Sequence, residues 1–410
     1  MERFIFRLSD EQLKEIAISL KSKIEKGLCE FNSEVQCIPT FITPRTTEIK
    51  GKALVLDLGG TNYRVAKVDF SEKEPLVYPS DGWQTDLSIM KQNGFTEETL
   101  LKKMTEPICE LNIEENIPIG YCFSYPAESL PKGDAKLIRW TKGVNISEMV
   151  GKPVGQPLVD YLNNKFNKKF TGIKVINDTV ASLFAGLADS GYDAYIGLIV
   201  GTGTNMAFFA RADKIKKLDW EMLKLENPDI KPDSLIPINL ESGNFNPPHL
   251  TNIDKIVDAL SDNKGFQRFE KAVSGMYLGE VLKSLFPCDL FEDKFDAQKL
   301  TQIINYPDIY KDKYHRNALN IYCRSADLVA ASIAGLILVL ISHNPSIKTI
   351  KLTAEGSLFW SELFEYDNYK SIVSVTLRSI LQDLGHKDIK VSIEPIKNAN
   401  LIGTAVAALS

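Results

Sequence analysis

A short polar segment between two apolar runs contains residue types that bind phosphate. In KALVLDLGGTNYRVAKVDF (52–70), the turn DLGGTN (57–62) holds an acid, two glycines and two small polar residues. Glycines let backbone N–H groups approach an anion, and successive amides in a turn form a concave anion site. Asp57 would repel a phosphate unless a divalent cation or ordered water lay between them. The segment predicts a Mg²⁺-assisted phosphate loop; the alternative is a hairpin turn whose Asp caps its own backbone.

A second loop of similar composition lies in the other half of the chain. The segment AYIGLIVGTGTNMAFFA (194–210) repeats the order of apolar run, Gly-Thr-Asn turn and apolar run. Neither loop continues as a Walker motif, and no Gly-x-Gly-x-x-Gly opens a helix, which disfavours P-loop and dinucleotide folds. We therefore expect two halves built on one plan, whose facing loops grip one polyphosphate. Two ordinary turns are the alternative.

One acid lies where a predicted strand gives way to a predicted helix. In KVINDTVASLFAGL (174–187), Asp178 is at that junction, with Asn177 beside it. A helix N-terminus favours an ionised carboxylate, which can then accept a proton from a substrate hydroxyl. The alternative is that Asp178 is only the N-cap of the helix.

Other polar side chains lie in stretches that suit a ligand with several hydroxyls. The loop FSYPAESLPKGDAKLIRWTKG (123–143) offers Ser124, Thr141 and Lys142 as donors, and loops of this length in compact domains tend to be functional. Glu241 and Glu270 lie beside apolar residues in INLESGNFN and FEKAVSGMYLGE. Carboxylates and amides pair well with hydroxyl groups. For each glutamate alone, a solvated surface acid is the alternative.

The elements that must position these residues belong to a chain too long for one ordinary core. With 410 residues, two domains or two lobes around a cleft are expected. The net charge of −5 comes with no basic stripe for nucleic acid and no polybasic segment for a membrane surface. Six scattered cysteines without metal-ligand spacing predict reduced thiols and a cytoplasmic protein.

The order of predicted elements is that of an α/β protein. Ser9 and Gln12 predict a capping box for an N-terminal helix that Gly27 ends. The apolar run at 328–341 is too short to span a bilayer and predicts a buried helix. Strands are predicted at 53–57, 63–70, 117–123, 173–176, 349–353 and 390–394, and helices at 96–112, 157–165, 179–189, 264–285, 316–343, 366–384 and 399–409.

Taken together and in this order, the segments resemble the hexokinase family within the actin-like ATPase superfamily. The matching stretches are LDLGGTNYRV, FSYPA, WTKG, INDTVASLFAG, IVGTGTN, FEKAVSGMYLGE and AEGSLFW. The resemblance implies a two-lobed, ribonuclease H-like α/β fold, in which each lobe is a mixed sheet flanked by helices around a central sugar and ATP cleft. It implies a small lobe at 55–178 completed by 398–410, and a large lobe at 179–397 completed by 1–54.

The resemblance also implies a role for each matching residue. Asp178 corresponds to the general base that takes the proton from the sugar 6-hydroxyl, and Lys142 to a catalytic residue near the transferred phosphoryl group. Sugar contacts are implied for Ser124, Thr141, Lys142, Asn177, Asp178, Asn205, Glu241 and Glu270. ATP contacts are implied for Asp57, Gly59, Gly60, Thr61, Asn62 and Arg64, for Thr202, Gly203 and Thr204, and for Gly356 and Ser357. Asp57 would also hold Mg²⁺ through water, the metal entering as MgATP.

The implied activity is ATP-dependent phosphorylation of the 6-hydroxyl of glucose, and of mannose or fructose, as the first step of glycolysis. We expect no membrane anchor, and a monomer or homodimer. Three departures from the family pattern stand out: IKNANLIGTAVAAL (396–409) lacks the last Gly-Ser nucleotide motif, Glu355 replaces Asp, and Ser242 replaces Trp. Asn398 and Asn400 are candidate substitutes in the last motif. The alternatives are a sugar-binding regulator that has lost catalysis, and a kinase for another hexose or amino sugar.

Overall fold

The strands and helices follow the predicted α/β order. The computed structural model describes residues 6–45, 49–60, 62–72, 74–111, 117–166, 170, 172–289, 291–292 and 295–410. The strands are β1 Ile38–Pro39, β2 Lys52–Leu58, β3 Asn62–Asp69, β4 Leu76–Asp86, β5 Ile119–Phe123, β6 Ala127–Ser129, β7 Ala135–Leu137, β8 Ile173–Ile176, β9 Ala194–Val200, β10 Thr204–Arg211, β11 Leu235–Asn239, β12 Thr349–Glu355 and β13 Lys390–Ile393. The helices are α1 Asp10–Cys29, α2 Glu97–Glu110, α3 Gln156–Phe166, α4 Asp178–Gly186, α5 Trp220–Glu226, α6 Asn252–Leu260, α7 Arg268–Val273, α8 Gly275–Leu285, α9 Ala297–Asn305, α10 Asp312–His343, α11 Tyr369–Asp383 and α12 Ala399–Leu409.

Two mixed sheets share one topology. In the five-stranded sheet the order is β4-β3-β2-β5-β8, with β4, β3 and β2 antiparallel and β5 and β8 parallel to β2. In the six-stranded sheet the order is β1-β11-β10-β9-β12-β13, antiparallel as far as β9 and parallel from there on. Parallel neighbours require crossover connections, here helices. The prediction of two halves built on one plan is confirmed.

Each sheet has its own buried core, and a third core lies between them. The helices α1 and α10 cover one face of the six-stranded sheet, while α2 and α3 pack against the five-stranded sheet. The third core contains α4, α12 and the inner faces of β2 and β3. The sheets therefore meet through α4 and α12, which carry or adjoin the candidate catalytic residues. The residue boundaries of the two lobes stay a prediction.

The two central helices cross at very short range because glycine lies at the crossing. A Cβ on Gly403 of α12 would lie 1.8 Å from the carbonyl oxygen of Ala181 on α4. Likewise, a Cβ on Gly120 of β5 would lie 2.4 Å from the carbonyl oxygen of Thr404. Any side chain at either position would push α12 away, so these glycines fix where α4 presents its first turn.

The buried helix predicted from the apolar run at 328–341 is confirmed, and it is longer than the run. Among the described residues, α10 alone has the length and composition to cross a membrane, and 89% of its most apolar window is buried inside the protein. The capping box of Ser9 and Gln12 is also confirmed. Gly27 does not end α1, which continues to Cys29. A Cβ there would lie 2.1 Å from the carbonyl oxygen of Val35, so this glycine serves close packing.

The single helix predicted at 264–285 is wrong, because the chain forms α7 and α8 with a break at Ser274. The amide of Gly275 donates to the carbonyl oxygen of Gly201 at 2.7 Å, and a Cβ on Gly275 would lie 2.7 Å from the same atom. The break lets the start of α8 approach the second predicted phosphate loop. A feature that looked like a helix interior is thus part of the site.

Candidate active site

The first predicted phosphate loop is the turn between β2 and β3, and it carries an ion pair. Asp57 on β2 is directly opposite Arg64 on β3 in the antiparallel register. Arg64 Nε and Nη2 both donate to Oδ2 of Asp57, at 2.9 and 2.5 Å. Asp57 is 7% exposed, and its charge raises the pKa of Arg64 against the effect of burial. Arg64 therefore offsets the charge of Asp57, for which the sequence analysis expects a divalent cation or ordered water.

The two glycines of this loop have distinct uses. The amide of Gly59 donates to the carbonyl oxygen of Asn62 at 2.9 Å and closes the turn. A Cβ on Gly60 would lie 2.9 Å from Cδ of Lys142. Gly60 therefore leaves the space through which the lysine stem passes. Thr61, also predicted to contact ATP, lies outside the described residues.

Lys142 is held above this loop by three features. Its backbone is left-handed, with φ of +57°. Its Nζ donates to the carbonyl oxygen of Ser124 at 2.8 Å and lies 5.2 Å from the centroid of the Tyr125 ring. The Tyr125 hydroxyl in turn donates to the carbonyl oxygen of Gly59 at 2.9 Å. The lysine charge is thus placed next to the glycines of the phosphate loop, as its predicted role requires.

The second predicted phosphate loop, between β9 and β10, is tied to Glu270. Gly203 has no Cβ, and one would lie 2.6 Å from Oε2 of Glu270. The amide of Thr204 donates to that oxygen at 3.0 Å, and its hydroxyl donates to the carbonyl oxygen of Ile199 at 3.0 Å. Thr204 therefore positions Glu270, and its nucleotide contact stays a prediction. Thr202 is exposed at the tip of the loop.

The segment after β12 packs on this second loop. Gly356 has φ of +108°, and a Cβ there would lie 2.2 Å from the carbonyl oxygen of Val200. Its Cα lies 3.2 Å from the Cβ position of Gly201. Ser357 follows and is exposed. The structure thus places the predicted adenosine-side residues directly beside the second phosphate loop.

The junction of β8 and α4 presents Asp178 as the first residue of the helix. Asn177, not Asp178, is the N-cap, and its Oδ1 accepts from the amide of Thr179 at 2.9 Å. The N-cap interpretation of Asp178 is therefore wrong. Oδ1 of Asp178 accepts from the same amide at 2.8 Å, whereas Oδ2 has no hydrogen-bond partner among the described residues. That oxygen is available to a ligand beside the positive end of the helix dipole.

Glu241 and Glu270 are two partly buried acids that interact electrostatically, and Glu241 also interacts with Asp178. Glu241 has a left-handed backbone, with φ of +55°. Burial is the largest cause that raises the pKa of Glu241, and the charge of Asp178 adds to it. The hydrogen bond from Asn239 and the charge of Arg139 lower this pKa in part. Burial also raises the pKa of Glu270, with a contribution from Glu241. Buried acids of this kind need hydrogen-bond donors, and sugar hydroxyls are suitable donors.

Asn205 reaches Glu241 through a residue that sequence reasoning missed. Asn205 Nδ2 donates to Oδ1 of Asn239 at 2.7 Å, and Asn239 Nδ2 donates to Oε1 of Glu241 at 2.8 Å. Oδ1 of Asn205 also accepts from the amides of Met206 and Ser242. Asn205 thus helps to orient Glu241 through Asn239, and the sugar contacts of Asn205 and Glu241 stay predictions. The feature of the sequence that could have indicated this role is that Asn239 lies two residues before Glu241.

Glu355 is the second residue of the site that the sequence did not assign to a role. The Ser182 hydroxyl donates to its Oε2 at 3.1 Å and lies one helical turn after Asp178. Burial is the largest cause that raises the pKa of Glu355 to about 7, with the charges of Asp178 and Asp57 adding to it and Arg64 opposing it. Glu355 therefore adjoins both the candidate base and the first phosphate loop.

The donor set indicates how a metal ion would be held. Among the described residues, no group of three or more His, Cys, Asp or Glu side chains is arranged to bind a metal directly. A lone carboxylate beside loop amides suits Mg²⁺, which keeps several waters and takes most other ligands from nucleotide phosphates. Asp57 fits this arrangement with the oxygen outside its ion pair to Arg64. Mg²⁺ would supply positive charge to the phosphates.

The remaining predicted residues are placed as follows. Neither the Ser124 hydroxyl nor the Thr141 hydroxyl has a partner among the described residues, so both are available to a sugar. In the altered C-terminal motif, Asn398 Nδ2 donates to the carbonyl oxygen of Ser80 at 2.6 Å. The buried Oδ1 of Asn400 has no hydrogen-bond partner within the described part of the chain. Ser242 is fully buried.

Paired sheets of one topology, two glycine loops and an acid on the helix between them define the actin-like class of sugar kinases. The chain belongs to the hexokinase family: hexokinase family models match residues 3–187, and 195–314 with 312–410. A hexokinase of Kluyveromyces lactis is 30% identical over 92% of this chain and 84% of its own. Hexokinase-1 of Saccharomyces cerevisiae is 28% identical, over 99% of this chain and 90% of its own length. The protein is therefore a sugar kinase.

Solved structures show the same fold. A hexokinase from Schistosoma mansoni, solved in complex with glucose, has a TM-score of 0.76 and 23% identity, covering 99% of this chain and 96% of its own. A second hexokinase structure has a TM-score of 0.79 and 22% identity, and the match covers 99% of this chain and 97% of that one. The two-lobed actin-like fold expected from the resemblance is confirmed.

Proposed function

We propose that the protein transfers the γ-phosphoryl group of ATP to the 6-hydroxyl of glucose, and of mannose or fructose, as the first step of glycolysis. The observation that carries the proposal is Asp178 at the start of α4, whose Oδ2 accepts no hydrogen bond from any described residue. The hydroxyl oxygen attacks the γ-phosphorus, the bond to the bridging oxygen of ADP breaks, and the hydroxyl proton passes to Asp178. A positioned base of this kind contributes about 10²- to 10⁴-fold to the rate.

The other side chains position the two substrates rather than react. Glu241 and Glu270 accept hydrogen bonds from sugar hydroxyls, and the Ser124 and Thr141 hydroxyls bind from the opposite wall. Lys142 and the amides of both glycine loops stabilise charge on the phosphoryl oxygens, which is the main requirement of phosphoryl transfer. Closure of the lobes on the sugar would exclude water, the competing acceptor.

A hexose panel tests this proposal. Steady-state rates of ADP release with MgATP are measured for glucose, mannose, fructose, galactose and an N-acetylated hexosamine. We expect glucose to have the highest kcat/KM and phosphorus NMR of its product to show a 6-phosphate. A preference for the hexosamine, or phosphate on another oxygen, would contradict the proposal and favour a kinase for a different sugar.

The altered C-terminal motif favours one second candidate, a sugar-binding regulator without catalysis. The side-chain amide of Asn398 already donates to the carbonyl oxygen of Ser80 on β4. This donor is therefore less available to a nucleotide than an unpaired amide would be. Calorimetry separates the two candidates. Glucose binding without ATP binding and without ADP release supports the regulator, whereas binding of both ligands with turnover supports the kinase.

We also propose a cytoplasmic location, a monomer or homodimer, and the lobe boundaries given above. The location is supported by the cysteines: all six lie in the described part of the chain, and none forms a disulfide. The boundaries are supported by the five-stranded sheet, whose strands run from β2 to β8. Light scattering coupled to size exclusion tests the oligomeric state.

A further inference from the structure

A small hairpin attached to the five-stranded sheet also contacts the six-stranded sheet. The hairpin consists of β6 and β7, paired antiparallel from Ala127 opposite Leu137 to Ser129 opposite Ala135. The amide of Leu130 donates to the carbonyl oxygen of Asp134 at 2.8 Å and closes the tip. Its β6 strand also lies beside β1 of the six-stranded sheet. The hairpin is therefore positioned between the two sheets.

The tip of this hairpin is fixed firmly to its own sheet. The amide of Val175 on β8 donates to the carbonyl oxygen of Gly133 at 2.7 Å. The Asp134 carboxylate accepts from the amides of Gly155 and Gln156, both at 2.8 Å, where α3 begins. Because these bonds hold both the backbone and a side chain, the tip moves with the five-stranded sheet.

The partner of the tip is fixed just as firmly to the other sheet. Asn227 is the C-cap of α5, and its backbone N–H donates to the carbonyl oxygen of Leu223 at 2.8 Å. Leu223 and Ile230 are buried in the core of the six-stranded sheet. Asn227 Nδ2 donates to the carbonyl oxygen of Pro131 at the hairpin tip, at 2.9 Å. This bond joins segments anchored on different sheets, so it forms only when the hairpin tip and the end of α5 are in contact.

A pair of opposite charges close to the hairpin tip reinforces this contact. Lys174 lies on β8, and its Nζ is 3.0 Å from the Cβ position of Gly133 at the hairpin tip. Burial lowers the pKa of Lys174, and the charge of Asp229, two residues after Asn227, opposes that effect. The attraction between Lys174 and Asp229 therefore favours the position in which the Asn227 bond forms.

The hairpin continues directly into the candidate active site. After Leu137 the chain passes through Trp140, whose Nε1 donates to the carbonyl oxygen of Ile146 at 2.8 Å. Trp140 also packs against Tyr125 with ring centroids 4.7 Å apart. Thr141 and Lys142 follow at once. A shift of the hairpin is thus transmitted to the two residues that contribute to the sugar and phosphoryl sites.

We propose that the Asn227–Pro131 hydrogen bond is an interlobe clasp, and that Asn227 is a positioning residue that favours the closed cleft from outside the site. This inference rests on the proposed sugar kinase function, in which closure on the sugar precedes transfer. The clasp stabilises the closed form. Without it, more of the free energy of sugar binding is used to close the lobes, and the apparent affinity for the sugar falls. At saturating sugar the closed form is restored, and the chemical step is unchanged.

Two variants and a matched control test the clasp. Asn227→Ala removes the donor, and Asn227→Asp sets an oxygen against the carbonyl while keeping the side-chain size. Asn317→Ala is the control, because Asn317 Nδ2 donates to the carbonyl oxygen of Lys313 at 2.8 Å within α10. We expect both Asn227 variants to raise KM for the sugar by about 2- to 12-fold, the equivalent of one hydrogen bond, with kcat kept within about twofold. The control should match wild type.

Small-angle scattering supplies a second readout that does not depend on turnover. Without sugar, Asn227→Ala should have a larger radius of gyration than wild type and Asn317→Ala, and saturating sugar should remove the difference. Equal radii together with equal KM values for all proteins would overturn the clasp. A fall in kcat with KM unchanged would also overturn it, since that result indicates a local effect on Lys142. If wild type binds no hexose, the proposed function fails, and the scattering without sugar still decides the clasp.

Discussion

Arg64 donates two hydrogen bonds to a single carboxylate oxygen of Asp57, from the facing position on the neighbouring strand. The pair lies beneath the first glycine loop, where an unpaired acid would repel phosphate. Because Arg64 offsets the charge of Asp57, this acid no longer opposes an anion at the loop, and one carboxylate oxygen remains outside the ion pair. This arrangement leads to the first prediction.

Replacing Arg64 with Met should destabilise the protein more than replacing both members of the pair. Arg64→Met leaves a buried carboxylate without its partner, which costs about 1.5–3 kcal/mol for a hydrogen bond to a charged group. Adding Asp57→Asn should recover most of that loss while ADP release stays low. Urea unfolding of the single and double variants checks this. Equal stability of the two variants would contradict it.

Substitution of Gly60 should impair the reaction without unfolding the protein. The added Cβ of Gly60→Ala would meet Lys142 at 2.9 Å and displace a flexible stem. We expect kcat to fall by about 10- to 100-fold, since small misplacement of a catalytic group has effects of this size. Gly172→Ala is the control, because a Cβ there would meet no atom within 4 Å. Comparable kcat values for the two variants would count against the role of Lys142.

Asn239→Ala should weaken sugar binding although Asn239 is not predicted to touch the sugar. The change removes the hydrogen-bond donor to Oε1 of Glu241 and the hydrogen-bond acceptor of Asn205 Nδ2. An unsatisfied buried group costs about 1–3 kcal/mol, so the sugar Kd should rise by about 5- to 150-fold. Calorimetry measures this, with Asn317→Ala as the control. An unchanged Kd would show that Glu241 needs no such support.

Glu355 should make stability depend on pH near neutrality. Burial, with a contribution from nearby acids, raises its pKa from 4.5 to about 7, so between these pH values the folded protein holds a proton that the unfolded chain releases. Stability should therefore decline as pH rises through this window and level off above about pH 7.

Glu355→Gln lacks that titration, and its stability relative to wild type should rise across the same window, by about 3 kcal/mol at most. Denaturant unfolding at several pH values measures the difference. Glu362→Gln, at an exposed position, is the control and should run parallel to wild type. A constant difference between Glu355→Gln and wild type would contradict the raised pKa.

Strongly patterned elements were predictable from the sequence. The bounds of α12 and β8 agree with the prediction, because each is a short apolar run bounded by polar residues. The edge strand β4 was missed, since it contains Pro79 and Gly82 and has no buried residue to set a pattern. The hairpin of β6 and β7 was missed for a different reason: strands of three residues are too short to show a period of two.

The candidate site was predictable where a motif is local and not where it is made by tertiary contact. Asp178 and both glycine loops follow from residue types and spacing. The pairing of Asp57 with Arg64 depends on strand register, and the link from Asn205 to Glu241 depends on β11 lying beside β10. Glu355 reaches the site only because β12 is adjacent to β9. Such relationships join residues far apart in sequence and need the fold.

Phosphoryl transfer by Asp178→Asn, measured beside sugar binding, tests the central claim most directly. The substitution keeps size and the hydrogen bond from Thr179 but cannot accept the hydroxyl proton. ADP release with glucose and MgATP should fall by about 10²- to 10⁴-fold, while calorimetry shows glucose still bound with similar affinity. Full activity of Asp178→Asn, with glucose bound, would contradict the assignment of Asp178 as the base.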